Sequence, residues 1–73
     1  MSRSHLAAVL RQIRQEAGLT QSQLADALSQ SQSYVSKYES GEQRLDITEL
    51  EAICAAVGIG LVQLVEQYVA SRS

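Results

Sequence analysis

The chain has no proline, one cysteine, one histidine and four glycines among its 73 residues. A single cysteine excludes an intrachain disulfide. Cys54 falls on the inward side of a helical repeat and reads as a small core residue, not a nucleophile. His5 has no cysteine or acidic cluster near it in sequence, so no metal and no cofactor are expected. No nucleophile–base or acid–base pair can be assembled, which speaks against catalysis. Arg11 and Arg14 interrupt the first apolar stretch, so it lacks the form of a signal peptide. No apolar run reaches membrane-spanning length. A cytoplasmic protein without a membrane partner is the expectation. Basic charge is also in short supply: six Lys and Arg against eight Asp and Glu leave a net charge of −2. Linkers, repeats and low-complexity tracts are missing, so residues 1–73 read as one domain. At this size roughly 60% of the unfolded chain's surface is buried on folding, enough for a small core only.

No useful run alternates polar and apolar residues, and what remains is helical periodicity throughout. Leu6, Val9, Leu10, Ile13 and Ala17 mark one face of a first helix, which Gly18 stops. Asp46 with Glu49, flanked by Leu45 and Leu50, is an acidic capping box with its hydrophobic staple. It opens a fourth helix that should carry Ile47, Leu50, Ile53, Cys54 and Val57 inward and end at Gly58. A fifth begins near Gly60 and carries Leu61, Leu64, Val65, Tyr68 and Val69. The fold expected is all-α, five helices and no sheet.

The stretch from Leu19 to Gly41 is the most informative. Thr20 and Gln23 form a capping box, with Leu19 and Leu24 as its staple, and open a helix from Gln21 to Leu28. Ser31 can cap the next, from Gln32 to Glu39, which Gly41 ends. Only Ser29, Gln30 and Ser31 lie between the two. So short a connection forces an angular crossing, a helix-turn-helix over residues 21–39. Leu24, Ala25 and Leu28 are the buried stripe of the first rod, and Ala25 is small where the crossing is close. Val35 and Tyr38 are the buried side of the second, with Tyr34 at the margin. Tyr34 and Tyr38 read as packing residues rather than base-stacking platforms. The outward face is Gln32, Ser33, Ser36 and Lys37, side chains of the size and chemistry that read base edges in a major groove.

With Gln21, Leu24, Ala25, Leu28, Val35, Tyr38, Glu39 and Gly41 in place, the chain resembles the Xre/Cro family of helix-turn-helix regulators. The segments GLTQSQLA, SYVSKYESG and LDITELEAICAAVGI extend the likeness from about Leu6 to Tyr68. The resemblance implies the compact five-helix fold of the phage lambda repressor DNA-binding domain and a role as a regulator of transcription on double-stranded DNA, a repressor in the first instance. It implies phosphate contacts at Gln21, Ser31 and Arg44, base-reading at Gln32, Ser33, Ser36 and Lys37, and an Arg14–Glu39 pair that fastens the first helix to the third. Three departures from the family pattern stand out. Ser29 occupies a turn position where glycine is preferred, so strain or an altered turn is expected. Gln30 replaces an apolar turn residue, and Glu42 replaces a basic one.

The acidic balance predicts few phosphate contacts per subunit and a shallow salt dependence of binding. One reading helix covers only part of an operator, so a homodimer on a pseudo-palindrome is expected. Helix five offers the surface: its apolar arc is too wide for one packing partner. Leu61, Leu64 and Tyr68 are expected to face the core, and Ile59, Val62, Val65 and Val69 a twin subunit. The alternative is an antitoxin or other protein-interaction module that retains the fold, with an unidentified protein partner.

Overall fold

Two capping boxes and a serine cap fix where three helices begin. Thr20 Oγ1 accepts the Gln23 N–H at 3.1 Å, while Gln23 Oε1 accepts the Thr20 N–H at 2.8 Å. Asp46 and Glu49 repeat the exchange at 2.9 and 3.0 Å. Hydrogen bonds from the Thr48 hydroxyl and from the Glu49 amide hold the Asp46 carboxyl below the usual carboxylate range. Ser31 Oγ accepts the Tyr34 N–H at 3.2 Å. The computed structural model describes residues 3–71 and comprises α1 (Arg3–Glu16), α2 (Gln21–Ala27), α3 (Gln32–Glu39), α4 (Ile47–Val57) and α5 (Leu61–Ser71). No strand occurs among the described residues. Helix α2 is one residue shorter than the sequence predicts, because Leu28 serves as its C-cap.

The turn inside the helix-turn-helix is built like the turn that ends α3. After α3, the Gly41 N–H reaches the Tyr38 carbonyl and the Glu42 N–H the Lys37 carbonyl, at 3.3 and 3.0 Å. After α2, the Ser29 N–H reaches Asp26 and the Gln30 N–H reaches Ala25, at 3.1 and 2.9 Å. Both are the paired bonds of a left-handed helix terminus. Gly41 holds it at φ +83°, and Ser29 holds it at φ +56°, the only positive φ at a non-glycine among the described residues. A left-handed backbone costs an L-residue about 1–2 kcal/mol. Ser29→Gly is therefore expected to stabilise the domain by about 1 kcal/mol, raising Tm by about 4–8 °C. A thermal melt with unchanged Tm would show that the serine side chain offsets its own strain.

These termini fold the five helices around a single core. It consists of Val9, Leu10 and Ile13 from α1, Leu24 and Ala25 from α2, Val35 and Tyr38 from α3, Ile53 and Cys54 from α4, and Leu64 and Tyr68 from α5. Helix α3 packs on α2 and α1, α4 on α2 and α5, and α5 on α1. Ala25 is 2% exposed, and its short side chain lets α2 and α3 approach closely. Helices α4 and α5 meet at 99° across the Gly58–Gly60 break.

Three expectations are corrected. Ile47 is 58% exposed rather than inward, because it is the first residue after the Asp46 cap and the opening turn of α4 overhangs the core. Leu45, half-buried against the core, fills the place instead. Ala17 is exposed, lying beyond the end of α1. Ile59, assigned with the valines to an open face, is half-buried and packs on its own core, because the left-handed Gly58 turns the chain inward there.

Candidate nucleic-acid interface

Arg14 on α1 and Glu39 on α3 meet in the core, each 8% exposed. Arg14 Nε donates to Glu39 Oε2 at 2.7 Å and its Nη2 to Oε1 at 3.0 Å. The remaining guanidinium nitrogen, Nη1, donates to the Leu19 carbonyl at 2.8 Å. The hydrogen bond to Glu39, opposed by burial, raises the Arg14 pKa above its ordinary value. A buried pair this fully bonded fixes geometry, because either charge left alone in the core would be costly.

From Glu39 the hydrogen bonding continues outward. Gln21 Nε2 donates to Glu39 Oε1 at 3.1 Å, and Gln32 Nε2 donates to Gln21 Oε1 at 2.6 Å. The chain Arg14–Glu39–Gln21–Gln32 runs from the core to the first residue of α3. Each step fixes which end of the next amide points where. Gln21 was expected to offer its side-chain amide to a phosphate; here both ends of that amide are engaged within the protein. Gln32 is left with its carbonyl oxygen uncommitted, facing out from an exposed position.

Ser33 and Lys37 are exposed on the same helix, and Ser36 is half-buried. Ser33 Oγ lies 3.3 Å from Ser31 Oγ, whose other contact is the capped Tyr34 N–H. Arg44 is exposed in the loop before α4. Glu42 accepts the Ser40 hydroxyl at 2.8 Å. Gln30, in the turn position where an apolar residue is common, is exposed.

Tyr34 makes a contact that no sequence pattern foreshadows. Its hydroxyl donates to Glu49 Oε2 at 2.7 Å, and its ring stands edge-on to Tyr38 with centroids 5.5 Å apart. Burial, then the bond to Glu49, raise its pKa well above the ordinary phenol value, so it remains a protonated donor. Helix α3 is thus tied to α4 near its start and to α1 near its end. Residues fifteen apart with no shared motif gave nothing to read. His5 is a second such case: its Nε2 lies 2.9 Å from Ser71 Oγ and 3.2 Å from the Tyr68 carbonyl oxygen, joining the start of α1 to the end of α5. No group of side chains that could hold a metal ion occurs among the described residues.

On α5, Leu64 and Tyr68 are buried and Leu61 is half-buried, while Val62, Val65 and Val69 are 74%, 46% and 56% exposed. Among the described residues no single helix is long and apolar enough to cross a membrane. Between α1 and α3 a cleft of about 160 Å³ is lined by Arg11, Gln21, Ser36, Glu39 and Ser40.

Known proteins share this fold. The clp gene regulator ClgR from Corynebacterium glutamicum superposes with a TM-score of 0.88 at 30% identity, over 97% of this chain and 91% of that one. The restriction-modification controller protein C.Esp1396I, solved as a tetramer in complex with its natural 35 base-pair operator, gives a TM-score of 0.86 at 29% identity, over 93% and 90%. The controller protein C.AhdI from Aeromonas hydrophila gives 0.79 at 26%, over 85% and 94%. Curated protein sequences provide no significant match. A family profile described as a helix-turn-helix domain matches residues 5–67, nearly the whole described chain. The chain belongs to this helix-turn-helix family, of the Xre/Cro regulator type.

Proposed function

We propose that the protein is a sequence-specific double-stranded DNA-binding regulator of transcription, acting as a homodimer that represses by occupying a pseudo-palindromic operator. One observation carries this reading: α3 presents Gln32, Ser33 and Lys37 outward, with Ser36 half-buried beside them, on a helix held by Glu49 at its start and by Arg14 at its end. Rigid presentation is what base readout requires, since a bidentate amide discriminates bases only when its two ends are fixed. Gln32, with its Nε2 held by Gln21, offers a carbonyl to the adenine or cytosine amino group. Where Gln21 releases it, Gln32 offers both ends to adenine. Lys37 reaches guanine O6 or N7, Ser31 and Arg44 bind phosphates, and Gln21 has for a phosphate only the second hydrogen of its Nε2, the first being given to Glu39. The likeness to C.Esp1396I, whose operator complex is known, supports the same face as the contact surface.

The dimensions of the subunit and the surface of α5 support dimerisation. The subunit measures 32 × 24 × 21 Å, a size that allows two copies to set their α3 helices one DNA turn, roughly 34 Å, apart. Val62, Val65 and Val69 form the surface that a twin would cover. Val62→Asp buries two charges at such a contact and is expected to shift the protein to monomer at micromolar concentration. Analytical ultracentrifugation that still finds a dimer would remove α5 from the interface.

Selection of bound duplexes from a random pool tests the function. The expected product is a pseudo-palindrome with half-sites about 10 base pairs apart. Recovery of no preferred sequence would overturn the proposal.

A further inference from the structure

The contacts proposed above leave Arg11, on α1, without a task. The one ion pair among the described residues uses Arg14, and Lys37 and Arg44 already have roles. Arg11 is exposed on α1 and has no carboxylate three or four positions away on its own helix. Glu16, the closest acid along that helix, accepts a hydrogen bond from Gln12 at 3.3 Å. Arg11 instead borders the cleft it shares with Gln21, Ser36, Glu39 and Ser40.

The charges in that cleft favour an anion. Glu39 is the one acid lining it, and Arg14 neutralises it through two hydrogen bonds. Ser36 is half-buried, and its hydroxyl has no side-chain partner among the described residues. Gln21 and Ser36 both lie on the face assigned to DNA. A guanidinium on a flexible stem beside a free hydroxyl, with the local acid already satisfied, suits one phosphate oxygen pair.

The geometry points to Arg11 as a further phosphate-contacting residue. It seats a DNA backbone phosphate at the α1–α3 cleft, with the Ser36 hydroxyl as second donor. The inference rests on the proposed DNA-binding function and adds to it a contact from α1, outside the helix-turn-helix. It assigns Ser36 to the backbone rather than to a base, because Ser36 lines that cleft with Arg11 and is half-buried, unlike the exposed Gln32, Ser33 and Lys37.

The test compares wild type, Arg11→Gln and Arg11→Lys on the selected duplex and on a scrambled one, titrated over a range of salt. Arg11→Gln is expected to lower the magnitude of the log–log salt slope by about 0.9 per subunit, or about 1.8 per dimer. It should weaken both duplexes alike, on the order of tenfold at about 50 mM salt. Arg11→Lys should restore most of the slope. Circular dichroism melts of both variants should match wild type, since Arg11 is solvent-exposed. Unchanged slope and affinity in Arg11→Gln overturn the assignment while leaving the DNA-binding reading intact, as wild type still binds. Weakening confined to the selected duplex also overturns it, because that marks a base contact. A wild-type protein that binds neither duplex overturns the underlying function and this contact with it.

Discussion

Glu39→Ala is expected to cost about 3–5 kcal/mol of folding free energy, because it strands the Arg14 guanidinium in the core. The carboxylate is the hub of three side-chain hydrogen bonds, two from Arg14 and one from Gln21. Only the Leu19 carbonyl would remain to Arg14. A domain of 73 residues has roughly 4–11 kcal/mol of stability in total, so the variant should be largely unfolded near 37 °C. Breaking a buried pair and replacing it differ sharply. Arg14→Met combined with Glu39→Leu removes both charges and should recover most of the loss, since apolar substitutes of similar volume are often neutral. Urea denaturation of wild type, Arg14→Met, Glu39→Leu and the double variant closes the cycle. If Glu39→Ala cost less than about 1 kcal/mol, the pair would be behaving as a solvent-screened surface contact.

Leu24→Ala should cost a similar amount, about 3–5 kcal/mol, for a different reason. Leu24 is fully buried in the core cluster, beside Ala25 at the α2–α3 crossing. The side chain lost there leaves a void that α2 cannot easily fill: its start is fixed by the Thr20–Gln23 box and its end by the Ser29 turn. A helix held at both ends relaxes little, which places the cost toward the upper part of the range for such substitutions. The urea midpoint should fall with an unchanged m-value. A cost below about 1 kcal/mol would mean that the crossing collapses to refill the space.

How much of this was legible in the sequence depended on distance along the chain. Thr20 with Gln23, Asp46 with Glu49, and the turn at Ser29 are local patterns, and each places a helix end to within a residue. The helical period also sorted α5 correctly, with Leu64 and Tyr68 inward and the three valines outward. Period alone failed at helix ends. Ile47 keeps the rhythm of α4 yet lies past the edge of the layer it would pack on. The links between Tyr34 and Glu49 and between Gln21 and Gln32 arise only once helices cross, so no spacing announces them. Arg14 with Glu39 was legible only through the family resemblance; periodicity put neither residue in the core.

The relay from Arg14 to Gln32 constrains how such a protein could evolve a new target. Gln21 and Gln32 each use an amide end to hold a neighbour, so exchanging either for an apolar or purely acidic residue would slacken the scaffold as well as change the readout. Ser36 and Lys37 have no side-chain tie to the scaffold among the described residues. Drift in target preference should therefore enter first at Lys37 and at Ser33, whose only side-chain hydrogen bond among the described residues is with the Ser31 hydroxyl. The two glutamines would change last, and then together.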